Sequence, residues 1–174
     1  MRADIADRQD FSARLIFLAL LAASIIILGA AFAFQLIGGL QPCELCIWQR
    51  YPYAVTIGLT GVGIGLARSG VDRRYLVFLL MACALTFLIG AGIAVFHVGV
   101  EHKWWEGTSA CVGRLTGASS AADLRERLLA APVVRCDQPA WSLFGITMAG
   151  YNVLLSLALT IASLFAARRL AARS

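Results

Sequence analysis

Four segments of the chain lack Asp, Glu, Lys and Arg and consist mainly of apolar residues: 16–40, 51–67, 75–100 and 139–167. A helix needs about 20 predominantly apolar residues to cross the hydrocarbon core of a bilayer. The second segment is the shortest, but aromatic residues suited to the membrane interface lie at its beginning. The pattern predicts four transmembrane helices, at about residues 15–38, 48–67, 74–97 and 141–167.

The composition fits a membrane protein with one domain. The chain has 174 residues, of which 60% are hydrophobic and 14% charged, and its mean hydropathy is +0.78. A soluble domain of this length could not bury so much apolar surface in one core. The first apolar segment is also too long for the apolar region of a signal peptide. We therefore expect an all-α membrane protein, a single four-transmembrane-helix bundle over residues 1–174, with loops at about 39–47 and 98–140 on the same side.

The distribution of basic residues predicts how the bundle lies in the membrane. Basic residues in short loops next to helix ends favour the cytoplasmic side. The side that carries both termini and the short central loop contains Arg2, Arg8, Arg14, Arg68, Arg73, Arg74, Arg168, Arg169 and Arg173. We therefore expect cytoplasmic termini and two external loops. The net charge of +5 follows from this arrangement and gives no reason to expect a nucleic-acid partner.

The long external loop contains the segment SSAADLRERLLAAP. Ser120 followed by Asp123 is typical of a helix start, and Pro132 marks a stop. Leu124 and Leu128 share one helix face, so the pattern predicts a short helix that lies on the bilayer surface. A solvated linker helix fits the same pattern equally well.

Four of the five cysteines fall in the predicted external loops, Cys43 and Cys46 in the first and Cys111 and Cys136 in the second. External thiols are usually oxidised, so two disulfides are the simplest expectation, with three possible connectivities. Cys83 lies in the third apolar segment and is expected to be an inert packing residue.

The spacing of the first pair indicates chemistry as well as structure. A bond between Cys43 and Cys46 would close too small a ring to stabilise the fold much, but such a bond is well suited to exchange. Permanent structural bridges are the alternative. A zinc site made by the four thiolates is not favoured because the long segment 112–135 separates the second pair, so no metal is expected. Covalent haem attachment would need His where Ile47 stands.

Arg50 follows Cys46 by four residues, so the two share a face if the segment is helical. Helical sequence resumes near Ile47, which places Cys46 at or just before a helix N-terminus, where unpaired N–H groups favour a thiolate. Arg50 could stabilise an anion at Cys46 or on a bound ligand. It could equally extend to the lipid headgroups.

These features together resemble one family. The motif PCELC followed by Arg50, between the first two of four helices, and a separated cysteine pair in the second external loop are similar to the bacterial disulfide-bond formation protein B (DsbB) family. Its members are inner-membrane thiol–quinone oxidoreductases. The segments HVGVEHKWWEG and RCDQPAWSLFGITMAGYN also resemble this family, and the resemblance covers essentially the whole chain.

The resemblance implies a role for each candidate residue. Cys111 and Cys136 would form the disulfide that receives electrons from a periplasmic thioredoxin-fold oxidase of the DsbA type, with Cys111 as the sulfur that is attacked. The electrons would pass to Cys43 and Cys46 through a transient Cys43–Cys111 bond. Cys46 would face a membrane quinone, with ubiquinone favoured over menaquinone. The expected location is the bacterial inner membrane, with the redox loops in the periplasm.

Arg50 and His97 are the expected cofactor-binding residues beside Cys46. Arg50 would hold a quinone oxygen. His97 lies at the outer end of the third helix, where the family often carries a histidine near the quinone. Its ring could bond a quinone carbonyl or exchange its proton, or it could contact lipid headgroups.

Two other functions fit parts of the pattern. A vitamin K epoxide reductase-like enzyme also joins CxxC to a quinone in a helical bundle, but there the active pair belongs near a late helix. A non-catalytic membrane scaffold would use the cysteines as permanent bridges. No acidic residue lies in the four apolar segments, which argues against a proton pump or an ion transporter.

Overall fold

The computed structural model describes residues 2–108, 111, 120, 122, 125 and 134–172, with residues 2–11 described by their backbone alone. The short helix predicted in the second loop falls almost entirely outside the described residues. The described helices and strands are α1 (Arg2–Leu36), α2 (Glu44–Trp48), α3 (Arg50–Arg68), α4 (Arg73–Glu101), β1 (Ser142–Leu143), β2 (Ile146–Thr147) and α5 (Met148–Ala171).

The long helices pack in a continuous series. α1 packs on α3, α3 packs on α4, and α4 lies along α5 over an extensive contact. α1 and α5 contact each other much less closely. This sparse contact leaves space between α1 and α5 that the functional site uses.

Among the described residues, three helices are long and apolar enough to cross a membrane, with spans at Ser12–Leu36, Arg73–Glu101 and Met148–Ala171. They expose large apolar side chains such as Ile26, Phe78 and Ile161, as surfaces in contact with lipid do. The sequence predicted four crossings, and α3 is not among the three spans. α3 has 19 residues with an Arg at each end, and its interior contains Gly and Thr, which reduces its hydropathy. The fourth crossing stays a prediction.

Helix boundaries differ from the predicted ones where polar residues continue a helix. α1 begins at Arg2, well before the predicted start near residue 15, and α4 continues to Glu101. The apolar pattern marks the part of a helix that suits lipid, whereas backbone hydrogen bonding continues into polar sequence.

The last helix begins later than predicted because a hairpin precedes it. Ser142 pairs with Thr147 and Leu143 with Ile146 in an antiparallel ladder. The two turn residues, Phe144 and Gly145, both have positive φ, 50° and 76°, as a two-residue type I′ turn requires. Thr147 then caps α5, because its hydroxyl accepts a hydrogen bond from the Gly150 N–H at 3.1 Å.

The bundle core lies at the end of the molecule away from the hairpin. Its fully buried side chains include Phe17, Leu80, Cys83 and Phe87. Cys83 thus occupies the packing position expected of it. The buried hydroxyl groups of Thr56, Thr60, Thr160 and Ser163 each donate to a carbonyl one turn earlier in their own helix. These helices therefore bury hydroxyls at little cost.

Candidate active site

Cys43 is the N-cap of α2 and Cys46 lies in the first turn of that helix. Pro42 precedes Cys43, whose backbone is extended (φ −73°, ψ 171°), and the Cys43 sulfur accepts a hydrogen bond from the Cys46 N–H at 3.2 Å. A sulfur atom here has the role that a Ser or Asp oxygen usually plays at a cap. The expected position of Cys46 near a helix N-terminus agrees with this geometry to within one turn.

Only one of the two expected disulfides is present. Cys111 and Cys136 are bonded, whereas Cys43 and Cys46 are free thiols. The second bridge expected from four external cysteines is therefore not formed in this structure. The Cys43 sulfur instead caps the N-terminus of α2.

The two free thiols differ in acidity. The pKa of Cys46 lies below its ordinary value of 9.0, chiefly because of its hydrogen bond with the Cys43 side chain, and the charge of Arg50 lowers it as well while burial opposes both. The same hydrogen bond and burial raise the pKa of Cys43. Cys46 is therefore the thiol that ionises first.

The Arg50 guanidinium is held by α1 rather than released to the membrane surface. It donates to the Gln35 side chain at 2.6 Å and to the Ala31 carbonyl at 3.4 Å, and it lies 4.7 Å from the centre of the Phe32 ring. These contacts fix its charge on the Cys46 side of the bundle. The contacts do not fit extension to the lipid headgroups, and the stabilisation of an anion by Arg50 stays a prediction.

His97 reaches the cysteine pair from α4. Its Nε2 lies 3.6 Å from the Cys43 sulfur and its Nδ1 lies 2.7 Å from Nε2 of Gln49. The side chain is only 4% exposed, which does not fit contact with lipid headgroups. A carboxylate oxygen of Glu101 is 3.9 Å from the same Nε2.

A chain of polar side chains supports the imidazole. The Asn152 amide donates to the Gln49 carbonyl oxygen at 2.5 Å, and the Tyr53 hydroxyl bonds both Asn152 and Ser156. Neither Gln49 nor Asn152 was predicted as a site residue from the sequence. A single Gln or Asn in a helix belongs to no recognisable sequence motif, so nothing in the sequence identifies these two residues as part of a site.

Glu101 is a further residue that sequence analysis missed. Its carboxylate accepts a hydrogen bond from the Thr147 hydroxyl at 2.6 Å, and its side chain is 5% exposed. It immediately follows the third apolar segment. Because that segment itself contains no acidic residue, the carboxylate just beyond its end was not recognised as part of the site. Its position four residues after His97 was the available signal.

A cavity of about 340 Å³ lies between α1, α3 and α5. Cys46, Gln49, Arg50, His97 and Asn152 supply polar groups to its wall. The remaining wall is mostly aliphatic and aromatic, formed by Ile27, Leu28, Ala30, Ala31, Phe34, Tyr53, Trp141, Leu143, Met148, Ala149, Tyr151 and Leu155. A largely apolar cavity with a few convergent polar groups is typical of a small-molecule site.

The second cysteine pair packs directly beside the first. Cys43, Leu45, Val100, Cys111 and Cys136 form one buried cluster, and Cys46 packs against it. A hydrogen bond of 2.7 Å from the Thr108 hydroxyl to the Glu44 carboxylate also joins the two loops. The six residues predicted for the site are thus brought into one region, with Cys46 on the cavity and Cys43 next to the disulfide.

A family model for disulfide bond formation protein DsbB matches residues 13–166. The chain belongs to the DsbB family. As a DsbB-family protein it is a membrane oxidoreductase that generates disulfide bonds, and the family is quinone-dependent. This assignment favours the oxidoreductase over the scaffold and the vitamin K epoxide reductase-like enzyme.

Individual relatives agree with the family match. The chain is 33% identical over 141 residues to disulfide bond formation protein B of Xylella fastidiosa, covering 79% of this chain and 80% of the relative. It is 30% identical over 164 residues to the protein of the same name from Aromatoleum aromaticum, covering 90% and 91%. An uncharacterized protein of Rickettsia prowazekii is 27% identical over 146 residues, covering 83% and 81%. No solved structure is significantly similar to the chain.

Proposed function

We propose that the protein reoxidises a periplasmic thioredoxin-fold dithiol oxidase of the DsbA type and delivers the electrons to a membrane quinone. The observation that carries this proposal is that Cys46, Arg50 and His97 line the same cavity. When bound there, the quinone supplies a two-electron acceptor, and ubiquinone is the expected one.

The cavity residues fit a quinone. A flat apolar ring with a long apolar tail needs an apolar slot, and α1 and α5 line the cavity with residues such as Phe34 and Leu155. Ring oxygens need donors, and Arg50 together with the amides of Gln49 and Asn152 supplies them at the same wall. Cys46 stands among these donors.

Electron entry would occur at Cys111. A thiolate of the partner attacks the Cys111 sulfur, the Cys111–Cys136 bond breaks, and Cys136 leaves as a thiolate. The partner's second thiolate then attacks its own sulfur in the mixed disulfide, so the partner departs oxidised and Cys111 and Cys136 hold two electrons. Both sulfurs are buried, 2% and 1% exposed, so this step requires Cys111 to become accessible.

Transfer between the pairs would proceed through a Cys43–Cys111 bond. The Cys111 thiolate attacks Cys43 of an oxidised Cys43–Cys46 pair, and Cys46 leaves as a thiolate. Cys136 then attacks Cys111, and Cys43 leaves. The buried cluster that joins Cys43 to Cys111 and Cys136 supports this route. One bonded pair and two free thiols, the redox state of the structure, correspond to the product of these steps.

The side chains around the pair have distinct roles in this scheme. Arg50 stabilises negative charge at Cys46 and on the cavity side of the site. His97 contacts the Cys43 sulfur and stabilises it as the leaving group, and it also reaches the cavity. Gln49 positions the imidazole.

The scheme includes a four-crossing topology in the bacterial inner membrane. α3 packs between α1 and α4, which supports its insertion as the fourth crossing despite its Gly and Thr content. Both termini then lie in the cytoplasm and both cysteine loops in the periplasm.

The test is a turnover assay. The purified protein is mixed with a reduced DsbA-type partner and either ubiquinone or menaquinone, and quinone reduction is followed. Cys46→Ser should abolish turnover, whereas Cys83→Ser should retain it because Cys83 is enclosed in the bundle core. Equal activity of the two variants would refute the site, and faster turnover with menaquinone would refute the expected quinone.

A further inference from the structure

Three side chains of the kinds that bind soft metal ions converge beside the cavity. The sulfurs of Cys43 and Cys46 and one ring nitrogen of His97 all lie within 4.8 Å of one another. Cys43 and His97 are buried and Cys46 is half-buried. Zinc coordination by all four external cysteines is not possible in this structure, because Cys111 and Cys136 are bonded to each other. His97 supplies a third ligand that is 54 positions away from Cys43 in the chain.

The separation of these atoms matches a tetrahedral centre. Zinc binds Cys sulfur at about 2.3 Å and His nitrogen at about 2.0–2.1 Å, which at a tetrahedral angle places sulfur and nitrogen roughly 3.6 Å apart. The Cys43 sulfur and Nε2 of His97 are 3.6 Å apart in the structure. A metal ion could therefore bridge this pair without movement of either backbone.

The surroundings would support a metal-bound imidazole. Metal-binding histidines usually form a hydrogen bond through their second nitrogen, and Nδ1 of His97 lies 2.7 Å from the Gln49 amide. A metal on Nε2 requires Nδ1 to carry the proton. Rotation of the Gln49 amide group by about 180° would let its oxygen accept a hydrogen bond from that N–H. Asn152, Tyr53 and Ser156 each carry both a donor and an acceptor. The directions of the hydrogen bonds between them can therefore reverse when the Gln49 amide rotates.

Charge balance also favours a divalent cation. Two thiolates neutralise it, and the Glu101 carboxylate, 3.9 Å from Nε2, offsets the positive charge of Arg50 near Cys46. The Cys46 N–H already donates to the Cys43 sulfur, as it would to a bound thiolate.

We propose that the reduced protein binds one thiophilic divalent cation, such as Zn²⁺, through Cys43, Cys46 and His97. Binding releases the two thiol protons, involves no electron transfer, and leaves a fourth coordination position for water or Glu101. Because both sulfurs are then coordinated, the metal competes with formation of the Cys43–Cys46 bond. The site thus gives the reduced enzyme a reversible, metal-inhibited state.

The test uses Co²⁺ as a spectroscopic probe and Zn²⁺ as its competitor. Reduced full-length protein in detergent is titrated without oxygen, in the wild-type and in a Cys111→Ser/Cys136→Ser variant that retains only Cys43, Cys46 and Cys83. We expect one Co²⁺ per chain in both, a near-ultraviolet thiolate-to-metal band, visible bands of tetrahedral Co²⁺, and displacement by Zn²⁺.

Matched variants assign the ligands. His97→Ala should raise the Kd by more than the roughly 10- to 100-fold that loss of an outer-shell partner costs, and Gln49→Leu should raise it within that range. His102→Ala changes an exposed histidine at the same helix end and should leave the Kd unchanged, as should Cys83→Ser. Absence of stoichiometric binding, or equal Kd values for His97→Ala and His102→Ala, would overturn the proposal. The readout needs neither quinone nor partner, so its failure is distinct from failure of the proposed function.

Discussion

Nε2 of His97 lies 3.6 Å from the Cys43 sulfur, and this contact joins the outer end of α4 to the cap of α2. From the sequence, His97 was expected either to contact the quinone or to contact lipid headgroups. In the proposed scheme, Cys43 leaves as a thiolate when the bond between Cys43 and Cys111 is resolved, so we expect the contact to give His97 a role in thiol exchange.

Replacing His97 should therefore slow the resolution of that bond. A hydrogen bond to a charged group contributes about 1.5–3 kcal/mol, so His97→Phe should slow the step by roughly 10- to 100-fold. Rapid acid quenching, alkylation and non-reducing peptide mapping should show accumulation of the Cys43–Cys111 species. His102→Phe is the control, and accumulation in both variants or in neither would remove His97 from this step.

Arg50 should affect quinone affinity more than partner docking. Arg50→Met keeps an unbranched apolar stem but removes the charge and the hydrogen-bond donors of a residue that lines the cavity. We expect the KM for quinone to rise about 10- to 100-fold, the effect of losing one charge-assisted hydrogen bond. The KM for the reduced partner should change little, and the reverse pattern would exclude Arg50 from the acceptor site.

The acidity of Cys46 gives a pH-dependent prediction. Its pKa is lowered from 9.0, so its thiolate, the reactive form, should accumulate at a lower pH than that of an ordinary cysteine. The pH midpoint of Cys46 alkylation should lie below 9.0, whereas Cys43, whose pKa is raised, should react slowly throughout. Arg50→Met should move the Cys46 midpoint upward, because it removes one cause of the lowered pKa. Mass spectrometry of the two modified positions measures both rates, and faster alkylation of Cys43 would contradict the assignment.

Packing of α1 on α3 depends on Gly63. A Cβ at this position would lie 2.5 Å from the ring of Phe17, which is fully buried and cannot move aside easily. Gly63→Ala should therefore destabilise the protein by about 1–3 kcal/mol, the usual cost of overpacking, and lower the apparent Tm in detergent. Gly65→Ala is the matched control, since nothing lies within 4 Å of its added Cβ. A similar Tm for both variants would show that this contact is not tightly packed.

Much of the helical fold could be predicted from the sequence, and the residues predicted for the site do lie in one region. The apolar segments identify the four long helices because long runs without charged residues are typical of helices in a membrane bundle. Cys46 and Arg50, expected from their four-residue spacing to share a helix face, both line the cavity, since α2 and α3 follow each other almost without interruption.

The hairpin before α5 shows where the apolar pattern is insufficient. Residues 142–147 are mostly apolar, and a short apolar run is compatible with strand or helix alike. The turn at Phe144 and Gly145 was the available signal, because glycine readily takes the positive φ that the turn needs.

Contacts made by single polar side chains across helices could not be predicted. Gln49 and Asn152 are 103 positions apart and meet only because α3 and α5 both face the cavity. The same holds for His97 and Cys43. Such pairs follow from the packing order of the helices, which a single sequence does not specify.

The central claim is that a quinone occupies the cavity beside Cys46 and Arg50, and photolabelling with an azido-ubiquinone tests it most directly. After illumination, mass spectrometry of the labelled peptides should find the modification on cavity residues of α1 and α5, such as Phe34 and Leu155, and excess ubiquinone should prevent it. Labelling confined to lipid-facing residues of α4 such as Phe78 and Leu85, without competition by ubiquinone, would contradict the account.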